Sequence, residues 1–183
     1  MSAQNLQKQK GFTLVEIAIV LVIIGLLLGG VLKGQELITN SKIKSVTKDL
    51  EGTATAYYAY QDRVGVVAGD TDANGSIDDN QSFWNDLRSQ GFISGASGAS
   101  APTHALDGIL SALRGGTATG TVLAGKNMIC ASGIEDTIAN GMDRNFDDGD
   151  ATTGTMQSGA DATPTVALAY SATGALVTVC REL

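Results

Sequence analysis

Between Phe12 and Leu32 every residue is apolar or small except Thr13 and Glu16, and Glu16 is the one charge. Twenty-one residues rising 1.5 Å each make a helix of about 30 Å, enough to cross the hydrocarbon core of a bilayer. The residues before it, Met1 to Gly11, are polar, carry Lys8 and Lys10, and include no acid. Positive charge on that side predicts a cytoplasmic N-terminus.

Two ordinary readings of such a segment fit less well. A secretory signal has a shorter apolar region and a small-x-small cleavage site after it. Here the apolar run is too long, and it is followed by Lys33-Gly34-Gln35-Glu36. A plain single-span anchor leaves Glu16 unexplained, because a carboxylate inside an apolar span is costly and calls for a partner.

Gly11-Phe12-Thr13-Leu14-Val15-Glu16, followed by a long apolar run, resembles the signature of type IV prepilins and of the pseudopilins of type II secretion. The resemblance is strongest over residues 8–60. It implies a leader, residues 1–11, that a prepilin peptidase removes between Gly11 and Phe12. It also implies N-methylation of the new terminal Phe12, and an assembly role for Glu16 as the fifth mature residue. One position departs from the pattern: where many members carry a helix-kinking proline, this chain has Lys33, with Gly29, Gly30 and Gly34 near it. Glycines inside a helix cost about 1 kcal/mol each relative to alanine, so they can loosen the same stretch.

Beyond the span, Ile43, Val46, Leu50, Ala54, Tyr57 and Tyr60 recur every three or four residues, with Lys42, Lys44, Lys48, Asp49 and Glu51 off that stripe. The spacing predicts one helix over 12–60, membrane-spanning over about 12–32 and amphipathic thereafter. A globular head is expected over 61–183. Aromatics make up 5% of the chain, so the head should have a modest core and long loops. Its predicted elements are an acidic loop from Asp70 to Asn80 and a helix from Ser82 to Gln90, with Ser82 as N-cap and Gly91 as stop. Next come a small-residue linker from Gly95 to Thr103, a second helix from Ala105 to Leu113, strands at Thr121–Ala124 and Asn127–Ala131, and a helix from Ile134 to Phe146. A hairpin of Thr165–Tyr170 and Ala175–Val179 ends the chain. The fold class is α+β: a long N-terminal helix packed on a small antiparallel sheet, the pilin-like arrangement. Tyr60-Gln61-Asp62-Arg63, Phe83-Trp84-Asn85-Asp86-Leu87 and Asp147-Asp148-Gly149 also resemble a proteobacterial pilin-like subgroup.

Cys130 and Cys180 are the only cysteines. In an exported domain two cysteines suggest one disulfide, the alternative being two buried free thiols. The resemblance favours the bond, since many pilins close their C-terminal region that way. Asp70, Asp72, Asn74 and Asp78 occupy oxygen-ligand positions of a calcium loop, with Gly75 at the sharp turn. Gln81 stands where a bidentate Glu belongs, so a solvated acidic turn is the preferred reading over calcium. Asp143, Asn145, Asp147 and Asp148 make a weaker cluster, because Gly149 falls one place late. His104, the only histidine, has no ligand-type neighbour and is expected at the surface beside Pro102. No catalytic motif singles out a nucleophile, and no enzymatic activity is expected.

The net charge of −7 becomes −9 once Lys8 and Lys10 leave with the leader. A body of that sign is unsuited to displacing phosphate counterions, so no nucleic acid partner is expected. The expected function is a structural subunit of a type IV pilus or related filament. Its partners would be membrane lipid before assembly, other pilin subunits, the prepilin peptidase and the inner-membrane assembly machinery. Its route would run from the inner membrane to a fibre on the cell surface. Alternatives that share the N-terminus are a periplasmic type II secretion pseudopilin and a minor pilin with an adhesin or DNA-uptake role.

Overall fold

A computed structural model describes residues 11–116, 121–160, 164 and 166–183. Residues 1–10 of the expected leader, with Lys8 and Lys10, and Thr165 of the expected hairpin lie outside the described residues. The chain falls into two compact units that divide between Thr39 and Asn40.

Helix α1, Leu14–Val64, contributes to both units. In the first unit every residue from Gly11 to Lys33 is exposed, with Leu14 at 91% and Leu26 at 73%. A helix apolar on all sides and exposed along its described length is a membrane segment in character. Lys33 and Glu36 form an exposed ion pair just past it at 2.7 Å.

In the second unit the expected stripe is the buried one: Ile43, Val46, Leu50, Ala54, Tyr57 and Tyr60 face the core. Helix α2, Asn80–Ser89, brings Phe83, Trp84 and Leu87 against them, with Phe83 stacked on Tyr57. Asp79 is the N-cap of α2 and accepts from the backbone N–H of Ser82, so Ser82 is the third helical residue and not the cap. At the other end Gly91 takes φ +76° and the Phe92 N–H reaches back to the Leu87 carbonyl, a glycine-based stop.

Four antiparallel strands follow: β1 Leu110–Arg114, β2 Asn127–Glu135, β3 Met156–Gly159 and β4 Leu176–Glu182, in spatial order β1-β2-β4-β3. Alternation along β2 divides the side chains: Ile129 and Ala131 join the main core, while Met128 and Cys130 pack with Val122, Leu123 and Cys180 on the opposite face. Helix α3, Asp136–Phe146, adds Ile138, Ala139 and Met142 to the main core. A long helix with a small antiparallel sheet is the expected pilin-like α+β architecture.

Several expected elements differ. Ala105–Leu113 is not a helix. Thr103 and Ile109 bridge around a tight turn, in which the Asp107 N–H meets the His104 carbonyl and the His104 N–H meets the Gly108 carbonyl. Asp107 sits at φ +61°. A Cβ on Gly108 would lie 1.9 Å from the Ser132 carbonyl oxygen, so only glycine fits there. Leu110 onward then enters β1. Thr121–Ala124 is a turn with one bridge to Gly115, not a strand. Ile134 and Glu135 end β2, after a bulge at Ser132 and Gly133, and α3 starts only at Asp136. Instead of a terminal hairpin, β4 pairs with β2 and β3. Residues 166–170 run beside β3 through a single bridge, Ala167 to Gly159, and the hydrogen bonds between Ser158 and Leu168.

The small-residue stretch after α2 is pinned, not loose. Arg88 donates to the carbonyls of Ala99 and Ser100, Asn85 accepts from the Gly98 N–H, and Gln81 donates to Ala99. These residues recur every three or four positions, so one polar face of α2 holds the loop.

Candidate functional site: the motif at the start of the apolar helix

Gly11, Phe12 and Thr13 precede α1 in irregular conformation, and Phe12 is 84% exposed. The Thr13 N–H and hydroxyl both donate to Glu16 Oε2, at 2.8 and 2.7 Å, while the Glu16 N–H donates to Thr13 Oγ1 at 3.3 Å. Thr13 is thus the N-cap and Glu16 the third helical residue of a reciprocal capping box. The Thr-x-x-Glu spacing before an apolar run was the signal for this box. The sequence reading used both residues in the motif but did not pair them. The box gives the carboxylate two donors within its own helix and places its charge at the positive end of the helix dipole. A Cβ on Gly11 would meet nothing within 4 Å. Among the described residues, then, packing does not require a small residue there.

In the head, Cys130 and Cys180 are bonded, and both are fully buried. They are direct register partners on β2 and β4, so the bond joins adjacent strands across 50 residues of sequence.

The Asp70 loop brings carboxylate oxygens of Asp70, Asp72 and Asp78 within 4.8 Å of one another. Its backbone is turned inward. Asp70 accepts from the N–H groups of Asp72, Asn74 and Gly75, Asp78 from that of Thr71, and the Asn74 side-chain oxygen from that of Ser76. Burial pushes the Asp70 carboxyl up, and the N–H donors of Gly75, Asn74, Asp72 and Ala73 more than reverse this, so it lies below the usual carboxylate range. Asn127 clamps the loop to β2, accepting from the Ile77 N–H and donating to the Gly75 carbonyl.

In the second cluster, Asp143, Asp147 and Asp148 also lie within 4.8 Å by one oxygen each. Asp143 is fully buried, accepting from the Tyr170 hydroxyl at 2.8 Å and the Gly149 N–H at 3.1 Å. Burial raises its carboxyl above the usual range despite those two donors, and the neighbouring charges of Asp148 and Asp147 add to the rise. Asp147 and Asp148 are taken up by the N–H groups of Thr155, Met156 and Asp150 and by the Thr153 hydroxyl.

Two placements were not legible in the sequence. His104 is not a surface residue: it is 3% exposed, its Nε2 lies 2.7 Å from the Ser132 carbonyl, and its Nδ1 faces the Leu106 N–H at 3.2 Å. A carbonyl beside Nε2 and an N–H aimed at Nδ1 match the tautomer that carries its proton on Nε2. Asp136, at 1% exposure, receives the Ser171 hydroxyl and the N–H groups of Thr173 and Gly174, and so fastens the turn before β4. Burial would raise its carboxyl, and those donors, with the Thr137 N–H, hold it below the usual range.

Residues 6–32 match the family model described as the prokaryotic N-terminal methylation motif. The chain therefore carries the leader signature shared by type IV pilins and pseudopilins, a class of structural proteins, on a pilin-like α+β fold. The apolar helix and the leader motif together fit a membrane-anchored precursor that assembles with proteins of its kind after peptidase processing. No curated protein and no solved structure matches the chain.

Proposed function

We propose that this chain is a structural subunit of a type IV pilus or related filament. A leader, residues 1–11, is cut off between Gly11 and Phe12, and Phe12 is N-methylated. Residues 12–32 hold the precursor in the inner membrane as part of a helix over 12–60, and the head over 61–183 forms the fibre exterior without catalytic work. Other subunits, the peptidase and the inner-membrane assembly machinery are its partners, and the cell surface is its destination.

The observation that carries this reading is the Thr13–Glu16 box at the exposed start of an apolar helix bearing the methylation motif. Cleavage would put a protonated amine on Phe12, one residue before the cap. Glu16 of a subunit already in the fibre can pair with the amine of an incoming one, cancelling two buried charges and fixing the axial stagger. Apolar faces around Leu14, Ile17, Val20 and Leu21 supply the bulk of the packing. Intact-mass measurement of the exported protein tests the processing. The expected mass is that of a chain starting at N-methyl-Phe12, and a terminus beyond residue 30 overturns the reading. Gly11→Val should leave the head folded and the precursor uncut.

A further inference from the structure

The sequence holds two Asn–Gly steps, Asn74–Gly75 and Asn140–Gly141. An asparagine before glycine is the least hindered setting for attack by the following backbone nitrogen on the side-chain amide carbon, because the nitrogen has no Cβ beside it. The fold treats the two steps differently. Asn140 and Gly141 lie in the middle of α3, where backbone N–H groups belong to the helical ladder. A Cβ on Gly141 would meet Ile43 Cδ1 at 2.6 Å, so that step is pressed against α1. Asn74 and Gly75 are exposed, Gly75 has φ +82°, and nothing lies within 4 Å of a Cβ built on it.

Two hydrogen bonds organise the exposed step. The Gly75 N–H donates to Asp70 Oδ2 at 2.8 Å. The Asn74 side-chain oxygen accepts the Ser76 N–H at 2.8 Å. Both are held in a fixed frame. Ser76 is 2% exposed with its hydroxyl bound by Arg114, and Asn127 grips the Gly75 carbonyl and the Ile77 N–H. The nucleophilic nitrogen thus has a proton acceptor, and the electrophilic carbonyl has a donor where negative charge develops on attack.

We propose that Asn74 is a self-modification site, converted to aspartyl and isoaspartyl residues by its own loop. The Gly75 nitrogen forms a bond to the Asn74 side-chain carbonyl carbon and passes its proton to Asp70. The resulting oxyanion is stabilised by the Ser76 N–H. The tetrahedral centre collapses, the carbon–nitrogen bond to the side-chain amide breaks, and the nitrogen leaves as ammonia with the proton returned from Asp70. The product is a five-membered imide. Water opens it at either carbonyl, giving aspartate or isoaspartate, with no oxidation or reduction at any step. Either product adds a negative charge beside Asp70, Asp72 and Asp78. The isoaspartyl form also lengthens the backbone between residue 74 and Gly75, pulling the Gly75 N–H away from Asp70.

The test uses the full chain in detergent micelles, aged in warm buffer near neutral pH made with oxygen-18 water. It is then reduced, alkylated and cut with trypsin, which separates the peptide 64–88 from the peptide 127–144. The Asn74 peptide should gain heavy oxygen, with the mass change of an amide NH2 becoming OH, and split into two isomers. Its rate should exceed that of the Asn140 peptide by about tenfold or more, a conservative share of what a positioned base supplies. In urea the two rates should converge, and in folded Asp70→Asn the Asn74 rate should fall. A folded-state rate at Asn74 no higher than at Asn140, or no higher than in urea, overturns the proposal; so does an Asp70→Asn variant that converts as fast as the parent.

Discussion

Helix α1 crosses two regimes. Before Lys33 every described residue is exposed, and its polar chemistry is a Thr–Glu box at its start. After Asn40 the same helix buries one stripe and is tied down by polar contacts, such as Asp49 accepting from the Ala105 N–H. The comparison teaches that one helix can store two kinds of information. The first stretch has the all-round apolar surface of a membrane span, whereas the second buries one stripe in the core of the head.

The strongest way to break that comparison is to remove Glu16. Glu16→Ala should still insert and be cut at Gly11 yet yield almost no fibres when it is the sole copy, while the head melts as before. Surface fibres at normal abundance would show that Glu16 does not set the register. Next in size is the disulfide. A closed loop of 50 residues contributes roughly 4 kcal/mol in the chain-entropy view. The two sulfurs are bonded to each other, so the oxidised protein unfolded without reductant should show no alkylatable thiol, and Cys130→Ser with Cys180→Ser should lower the melting temperature of the head.

A paired truncation sharpens the contrast directly. Leu50 is fully buried and Leu27 is 63% exposed. Leu50→Ala should destabilise the head by roughly 2–5 kcal/mol, the usual range for a buried leucine. Leu27→Ala should leave head melting unchanged, because none of the head's core depends on it.

The smallest expected effect is in acid. Asp136 titrates below the usual range, so its contribution is present above the unfolded-state pKa and is lost as pH falls through the lower folded value. Asp143 is raised, so its contribution is full below the unfolded-state pKa and is lost as pH rises through the folded value. Melting followed from about pH 7 down to about pH 3 should show a net loss in acid. Asp136→Asn should flatten that loss and Asp143→Asn should steepen it. Identical slopes in all three proteins would remove both residues from the pH response.

Much of this architecture is readable along the chain because it is periodic. The apolar run, the stripe from Ile43 to Tyr60, the helix around Phe83 and Leu87, and the strands around Cys130 and Val177–Val179 all repeat at the spacing of their element, although the last of these does not pair as expected. The misses are places where a partner distant in sequence outweighs local pattern. The apolar residues of 105–113 suggested a helix, although Asp107-Gly108 is a hairpin-turn signal. Contact with Ser132 then decides for a turn and a strand. Strand β3, with two small residues in Met156-Gln-Ser-Gly, has no visible alternation and exists because β4 offers it a ladder.

By itself, then, the sequence determined the membrane-type helix and the methylation motif at its start, because those depend on neighbours within a few positions. Tertiary structure decided which polar groups are buried. It put His104 between Ser132 and Leu106, gave Asp136 and Asp143 opposite titration shifts from the same residue type, and left one of two Asn–Gly steps open while closing the other. The physical reason is that a side chain's burial and hydrogen-bond partners come from segments folded against it, which no local spacing records.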